Sequence, residues 1–512
     1  MVIRNHIPPP SRVKQNVFAN FTGKAWTSVI SILFVPFYLK FLGIEAYGLI
    51  GLYLSLMALL SVLDMGLSTT LSRELARLTA APGNEQEARD LVRSMEAAYW
   101  GIGILVALTT FLLAPLIAKY WVNPKGVTEE TIRRAVMVMG FVAAFDWPVA
   151  LYTGGLMGLQ RQVQLNVIRA AMATFQAVGA VLVLWLVSPT ISAYFLWQVV
   201  ASMAQTTFLA LCLWKNLPRT GRKTFFQRNL LVKNWRFTAG MTGISVLVAL
   251  VTQTDKILLS KLLSLESFGY YILAFNVASA LHNLSSPFFM ALFPKFSQMV
   301  MERNELDLTA LYHTGSQFLS LAILPVAVTL GVYAPEILNL WLRNPVTAEN
   351  TQLLLRLILV GTMFNTLMIP PYAFQLASGW TRLSFVANAV AAAIVLPALY
   401  WTASRYGAVG AAIVWIVLNM GYFFVEIPFM HRRLLRGEMA KWYFEDTGFP
   451  MMLALAAGLL SRAALPAGIS IAGTMAWIGL TLVAAALVVS IQMPSIRVVI
   501  RQVIRDFSFG RS

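Results

Sequence analysis

The sequence predicts an all-α integral membrane protein with 14 transmembrane helices: two parallel six-helix repeats and two further helices at the C-terminal end. Three observations predict this fold: an apolar composition, a series of long apolar stretches, and a one-sided distribution of basic residues. Of 512 residues, 58% are hydrophobic and only 12% are charged. Soluble domains carry about 25% charged residues, so this chain could not cover the surface of a soluble globule.

A transmembrane helix needs about 20 mostly apolar residues. The segments that meet this requirement are 17–39, 46–68, 95–118, 135–158, 167–188, 191–214, 238–260, 268–293, 315–341, 353–377, 384–402, 407–430, 448–465 and 469–492. The first contains Lys24, and the thirteenth is short. An even number of spans places both termini on the same side of the membrane.

Basic residues indicate which side that is. With the flank out to Arg169, the loops on the side of the termini hold 27 of the 39 lysines and arginines, whereas the opposite loops hold nine. Lysine and arginine accumulate in cytoplasmic loops, so both termini are expected in the cytoplasm. The net charge of +17 is therefore mainly an orientation signal, and no nucleic-acid partner is expected.

Residues 215–237 form the most basic loop, with seven lysines and arginines and no acid. Aromatic and aliphatic residues alternate with the basic ones, which is typical of an amphipathic helix on the anionic cytoplasmic leaflet. Anionic membrane lipids are therefore expected partners. The alternative is an ordinary orientation signal. The single cysteine, Cys212, excludes an intramolecular disulfide, and no metal or cofactor is expected.

Two segments of the chain repeat. Residues 40–48 (KFLGIEAYG) match residues 261–269 (KLLSLESFG) at an offset of 221, and Phe145-Asp146 matches Phe364-Asn365 at an offset of 219. The predicted division is an N-terminal lobe over 1–214, the basic loop 215–237, a C-terminal lobe over 238–430, and the last two spans with a basic tail over 431–512. Paired repeats are typical of transporters that bind their substrate at the midplane of the bilayer.

Several short motifs add a family resemblance. The chain resembles the polysaccharide (O-antigen, Wzx-type) flippases of the MATE-like MOP superfamily in the segments 34–48, 64–67, 73–76, 158–161 and 253–257. The resemblance implies two lobes in a V that alternate between inward-open and outward-open forms in the bacterial inner membrane. It also implies a polyprenyl-diphosphate-linked oligosaccharide as cargo, and other membrane proteins of polysaccharide assembly as partners.

Two other functions remain open at this point. One is a MATE-type multidrug or cation exporter, and the other is a membrane-embedded polysaccharide polymerase or glycosyltransferase. Two lysines inside predicted spans favour an anionic cargo over a cationic one. The outer loops are too short to hold a large catalytic site, so we expect a transporter and no enzyme.

The first helix of each repeat has a polar face with a lysine on it. Asn16, Asn20, Lys24, Thr27 and Ser31 lie three or four residues apart, as do Thr252 and Lys256 in the seventh span. A charge inside a span indicates function by default. We expect the cargo groove to contain Asn20, Lys24, Thr27, Thr252, Asp255, Lys256, Asn276 and Asn365. The alternatives are that Lys24 extends to the interface and that Lys256 pairs with Asp255.

Three acids complete the set of intramembrane candidates. Asp64, Asp146 and Glu426 are expected to pair with the lysines or to bind the H⁺ or Na⁺ that drives transport. Asp146 lies two residues before Pro148, where a kink frees backbone carbonyls. The alternative for Asp64 is a helix cap at the inner end of its span or an acid that faces the loop, and the alternative for Glu426 is a residue at the membrane interface.

Overall fold

The computed structural model describes residues 10–64, 66–80, 83–230, 252–466, 468–494 and 496–497, and its regular elements there are helices. Nine helices in these ranges are long and apolar enough to cross a membrane, so the protein is a multi-pass membrane protein. The number of 14 spans stays a prediction. Residues 231–237 of the basic loop, 238–251 of the seventh span and the tail from 498 lie outside the described residues.

The chain divides into two compact units, Met1–Gly269 and Tyr270–Ser512. Helices of the first unit are α1 Pro10–Leu33, α2 Val35–Leu60, α3 Leu67–Ala80, α4 Glu85–Leu116, α5 Glu129–Gly158, α6 Gln162–Leu186, α7 Ile191–Asn216 and α8, described over 252–262; α9 is Leu265–Ala278. The predicted lobes divide elsewhere: residues 252–269, assigned by the repeat to the second lobe, pack in the first unit. The lobe boundaries stay a prediction.

The second unit continues the helical chain. Its helices are α10 Ala280–Glu302, α11 Glu305–Val332, α12 Ala334–Leu342, α13 Pro345–Leu367, α14 Ile369–Ala377, α15 Thr381–Gly421, α16 Ile427–Leu434, α17 Met439–Lys441, α18 Phe449–Ala463 and α19 Ile471–Gln492. π-Helical turns cover Tyr422–Glu426 and Trp442–Gly448.

Helix α5 is the centre of the first unit and packs on α3, α4 and α7. Gly154 and Gly158, one turn apart on α5, lie directly against the backbone carbonyls of Ser68 and Ser72 on α3. Small residues four apart allow helix backbones to approach this closely, which is the usual basis of helix pairing in lipid. Leucines of α3, α4, α5 and α7 form a buried cluster around this contact.

Helix α11 has the same place in the second unit, where it packs on α10, α13, α18 and α19. Polar contacts add to this packing: His313 Nδ1 lies 2.5 Å from Asp446 Oδ2, and Gln317 Nε2 donates to Asp446 Oδ1 over 2.9 Å. Asp446 is fully buried. The two C-terminal spans are thus fixed to α11 by hydrogen bonds as well as by apolar packing.

Three sequence expectations differ from the structure. The connection predicted at 403–406 is a sharp kink and not a loop: Thr381–Gly421, labelled α15, consists of two helices that meet at Gly407, whose φ is 59°. The eighth and tenth spans are interrupted, at Ser279 and at Met368, which precedes Pro370-Pro371. Finally, residues 217–227 are not the predicted amphipathic helix but an irregular segment. Backbone groups of this segment form hydrogen bonds with side chains of α4 in place of the hydrogen bonds that a helix would form within itself.

Candidate functional site

Helices α1 and α6 of the first unit lie side by side and join their polar faces. Asn166 Nδ2 donates to Asn20 Oδ1 over 2.5 Å, and Trp26 Nε1 donates to Thr174 Oγ1 over 2.9 Å. Residue numbers rise together in the two contacts, so the helices run in the same direction. Asn20 is therefore a helix-packing residue as well as a member of the predicted polar face.

This parallel register places two cations at a similar depth. Lys24 and Arg169 differ in level along the helix axes by about 1.5 Å counted from the Asn20–Asn166 contact, and by about 4.5 Å counted from the Trp26–Thr174 contact. Lys24 is exposed, and Thr27 Oγ1 donates to its backbone carbonyl over 3.0 Å. Arg169 Nη2 donates to Thr153 Oγ1 over 3.1 Å.

Arg169 is a candidate that the sequence reading missed, because it was counted there as a residue flanking a cytoplasmic loop. In the described ranges no ion pair involves its guanidinium. A signal was present in the sequence: Gln162, Asn166, Arg169 and Gln176 are spaced by four, three and seven residues and so share one face of α6. The amide of Gln176 in turn donates to the buried Gln198 of α7.

Asp146 extends the polar face along α5. It lies seven residues from Thr153, which places both on the same side of the helix. The buried Tyr53 of α2 donates its hydroxyl to Asp146 Oδ2 over 2.7 Å. Close to Pro148, which lies inside α5, Thr206 Oγ1 donates to the carbonyl of Phe145 over 2.5 Å. A side-chain donor from α7 thus binds a backbone carbonyl close to this proline, and the kink itself stays a prediction.

Asp64 lies outside this face, in the turn between α2 and α3. Ser68 Oγ donates to its Oδ2 over 2.7 Å, and the Tyr99 hydroxyl donates to its Oδ1. Both contacts hold the carboxylate at the start of α3, where the positive end of the helix dipole favours an anion. Both donors are side-chain hydroxyls and neither is a backbone N–H group, so a helix cap and a role in coupling both stay predictions.

Thr252, Asp255 and Lys256 form a compact group on α8. Lys256 Nζ donates to the Thr252 carbonyl over 2.9 Å and lies 3.2 Å from Asp255 Oδ1, and the side chains of Asp255 and Lys256 are both buried. The pair neutralises its own charge in this conformation. Lys256 therefore pairs with Asp255, which is the alternative given above, and cargo binding by Lys256 stays a prediction.

The remaining candidates belong to the second unit. Asn365 Nδ2 donates to Asn419 Oδ1 over 2.6 Å, which joins α13 to α15. Asn276 lies half-buried on α9. Glu426 is buried in a π-helical turn, where the side chains of Ser384 and Gln375 hydrogen-bond its carboxylate. Asn365 thus has a packing role, and Glu426 lies in a polar pocket of its own unit.

The first unit therefore gathers a cation-bearing polar face from α1, α5 and α6, composed of amides, hydroxyls, Lys24 and Arg169. Such a face can bind an anion through charge and hydroxyl groups through hydrogen bonds. Among the described residues, no cluster of three histidine, cysteine, aspartate or glutamate side chains could hold a metal ion.

Known proteins resemble this chain in sequence and in fold. A Shigella flexneri protein named "Putative O-antigen transporter" is 21% identical over 427 residues, which cover 80% of this chain and 94% of the relative. The lipid II flippase MurJ in an inward closed conformation superposes with a TM-score of 0.70 at 12% identity, over 96% of this chain and all of that one.

An inward-facing multidrug resistance MATE family transporter of the MOP superfamily is also similar, with a TM-score of 0.63 at 13% identity, over 82% of this chain and 96% of that one. Together these likenesses show the fold of the MurJ and MATE transporters. The model of one family, described as polysaccharide biosynthesis protein, matches residues 13–300. Because this match covers more than half of the 512 residues, the chain belongs to the polysaccharide biosynthesis protein family.

Proposed function

We propose that this protein is a flippase that moves a polyprenyl-diphosphate-linked oligosaccharide from the cytoplasmic to the outer leaflet of the bacterial inner membrane. The cargo would serve the synthesis of a surface polysaccharide such as O-antigen or exopolysaccharide. The single observation that carries this proposal is the placement of Lys24 and Arg169 at a similar depth on neighbouring helices of a polar face. Family membership and the O-antigen transporter relative support it.

The physical task explains why such a face is needed. A diphosphate and a row of sugar hydroxyls must cross about 30 Å of hydrocarbon. An unpaired charge costs several kcal/mol in that environment, and each unsatisfied polar group adds to the cost. Lys24 and Arg169 would supply the counter-charges, and the amides of Asn20, Asn166 and Gln176 would bind hydroxyls. The polyprenyl tail can remain in lipid.

We also propose how the protein is oriented in the membrane and which ions drive it. Both termini would lie in the cytoplasm, as the basic residues of the loops indicate. The protein would act as a transporter without catalysis, and H⁺ or Na⁺ would drive it through Asp146 or Glu426. Replacement of Asp146 by Asn tests coupling, because it keeps the shape and removes the charge: transport driven by an imposed ion gradient should fall, while downhill exchange of cargo continues.

The experiment that tests the function uses the purified protein in liposomes with a fluorescent polyprenyl-diphosphate-linked oligosaccharide. A membrane-impermeant reductant bleaches the fluorophores of the outer leaflet, so the rate of further bleaching reports the flipping. Wild type should flip the lipid much faster than empty liposomes, and Lys24→Met should approach the empty rate. Lys40→Met, which alters an exposed lysine on α2, is the matched control. Equal rates in protein-containing and empty liposomes would refute the proposal.

The MATE-type exporter is the second candidate, because a MATE transporter superposes over most of the chain. An organic cation would be repelled by Lys24 and Arg169, which counts against it. Uptake of a fluorescent organic cation into the same liposomes distinguishes the two functions, since a flippase should leave that uptake at the level of empty liposomes.

A further inference from the structure

Residues 215–230, named here the basic segment, begin in the last turn of α7 and run along the first part of α4. Gln86 Nε2 donates to the Lys223 carbonyl over 3.0 Å, and Thr220 Oγ1 donates to Gln86 Oε1 over 2.7 Å. Arg89 Nη1 donates to the Pro218 carbonyl over 3.1 Å. Three side-chain bonds thus hold the irregular part of the segment at the N-terminal end of α4.

Further contacts lead the segment along α4 toward the bilayer. The backbone N–H of Phe225 donates to Asp90 Oδ1 over 3.0 Å, and the N–H of Gln227 donates to Ser94 Oγ over 2.7 Å. The segment therefore moves from the level of Gln86 to that of Ser94 within a few residues. The side chains of Thr220 and Gln227 also bond to α4, whereas those of Phe225 and Phe226 remain exposed.

The level of these contacts relative to the membrane follows from the sequence of α4. Residues 97–118 contain no charged side chain, and the predicted span begins at 95. Ser94 thus lies at the edge of the hydrocarbon, and Asp90 lies about 6 Å before it, at 1.5 Å per residue. Phe225 is bonded to Asp90, so it and Phe226 lie in the interfacial layer of the bilayer.

The exposed side chains of the segment have the chemistry of a membrane surface ligand. Phe225 is 64% exposed and Phe226 is 55% exposed. Lys215, Arg219, Arg222, Lys223 and Arg228 are exposed as well, and the segment contains no acid. In the part of the chain that the structure describes, no ion pair engages these five cations.

We propose that the basic segment is a docking surface for the anionic lipid headgroups of the cytoplasmic leaflet, with Phe225 and Phe226 inserted at the level of the headgroups. Phenylalanine side chains on the apolar face of a membrane-surface segment are buried at the boundary between headgroups and acyl chains. Each lysine or arginine near an anionic surface raises the affinity by about fivefold. The hydrogen bonds to α4 order the segment in advance, so binding does not have to order it. This inference rests on the cytoplasmic orientation in the proposed function.

The test uses the full chain in nanodiscs, with Cys212→Ser to remove the native thiol. A fluorophore is attached after Phe226→Cys, and separately after Gly221→Cys. Gly221 is the matched control position, because it is exposed, has open space around it and follows Thr220 at the level of Gln86, about 12 Å before Ser94. The discs contain lipids with a quencher near the headgroup, in either neutral phosphatidylcholine or a mixture with anionic phosphatidylglycerol.

We expect quenching at position 226 to exceed that at position 221 by about twofold or more in anionic discs, and to fall in neutral discs and at high salt. Arg222→Gln, Lys223→Gln and Arg228→Gln together should remove the dependence on phosphatidylglycerol. The control variant, with Lys119→Gln, Arg343→Gln and Arg405→Gln, loses the same charge from exposed residues of predicted outer regions and should retain it.

Two results would overturn the proposal. Equal quenching at positions 226 and 221 would place the segment in water or against a protein partner. Strong quenching at position 226 that is the same in neutral and anionic discs would mean that the phenylalanines insert without any recognition of charge. Neither measurement uses cargo, so the test of lipid docking is independent of the test of flipping. Either proposal can fail while the other holds.

Discussion

Gly48 lies against the backbone carbonyl oxygen of Leu265, so closely that a Cβ atom at position 48 would stand 2.6 Å from that oxygen. The contact is reciprocal, because Gly269 lies against the carbonyl oxygen of Ile44. Residues 44 and 48 have the same positions in the first repeat that 265 and 269 have in the second. Two parallel copies related by a twofold axis produce this pattern, so the repeated motif packs against itself.

Gly48→Ala should destabilise the protein. The added methyl group meets a backbone oxygen that cannot rotate away, and overpacking of this kind costs about 1–3 kcal/mol. Gly101→Ala is the control, because that glycine lies on α4 with open space around its Cα. Thermal unfolding in detergent should show a lower Tm for Gly48→Ala only; equal Tm values would mean that the motif can separate without cost.

A disulfide between positions 123 and 264 should stop transport. Asn123 and Ser264 form a parallel bridge pair, and Asn123 Nδ2 donates to the Lys261 carbonyl over 2.7 Å. Paired residues of this kind meet the Cα separation of about 4.4–6.8 Å that a disulfide needs. The double variant Asn123→Cys with Ser264→Cys, made with Cys212→Ser, should lose flipping on oxidation and regain it on reduction. Complete oxidation with an unchanged flipping rate would show that the two repeats need not separate here.

Glu45→Ala should loosen the loop between α4 and α5. The Glu45 carboxylate accepts from the backbone N–H groups of Lys125, Gly126 and Val127 over 2.8, 2.9 and 3.0 Å. Bonds to a charged acceptor contribute about 1.5–3 kcal/mol each. Hydrogen exchange should be faster at residues 125–127, and Glu45→Gln should have a smaller effect. Glu130→Ala, an exposed acid paired with Arg133 and Arg134, is the control and should leave these amides protected.

Lys24→Ala should reduce the flipping rate far more than Lys24→Arg. The arginine retains the positive charge and can bind phosphate through two N–H groups, whereas alanine leaves Arg169 as the single cation of the pair. Loss of one counter-charge in a poorly hydrated site should lower the rate by about tenfold or more. Normal flipping by Lys24→Ala at a normal expression level would contradict the assignment of the site.

Asp446→Asn should flatten the dependence of stability on pH. Burial raises the pKa of Asp446, with His313 and Gln317 acting against it. A raised native pKa means that the folded state holds this proton more tightly than the unfolded chain does. The resulting contribution to the free energy of unfolding is present in acid and lost as pH rises through the native pKa. The amide cannot ionise, so the free energy of unfolding should depend less steeply on pH in this variant than in wild type. Unfolding is measured from about pH 4, the pKa of unfolded aspartate, upward.

A matched control for this experiment is Glu438→Gln. Glu438 Oε2 lies 3.0 Å from His313 Nε2, but its side chain is 32% exposed, and water compensates part of its charge. Its replacement should therefore change the slope less. The same slope in wild type and in Asp446→Asn would mean that the Asp446 carboxyl group does not carry the pH dependence.

Long apolar stretches predicted the helices well. Helices α6, α7 and α19 begin and end within about five residues of the predicted spans, because a run of apolar residues in lipid has to satisfy its own backbone hydrogen bonds. The predicted division between the spans 384–402 and 407–430 corresponds to a break in the helix. Two helices of α15 meet there at Gly407, whose positive φ is open to glycine.

The candidate site was harder to predict. Spacing alone identified the polar face of α1, since its members are close in sequence. Asn166, the partner of that face on α6, is well over a hundred residues away, and only the packing of α1 on α6 reveals it and the nearby Arg169. The same limit applies to Asp64, because its partner Tyr99 lies on α4 and only the packing of the helices brings the two side chains together.

The contact between His313 and Asp446 has a consequence for the synthesis of the protein. The two residues are 133 positions apart, so His313 leaves the ribosome long before its partner exists. At 5–20 residues per second the delay is roughly 7–27 seconds. During that interval α11 is in the membrane with a polar face and no helix to cover it. A chaperone or insertase that shields this face until α18 and α19 emerge would raise the yield of folded protein, and slow translation after residue 332 would lower it.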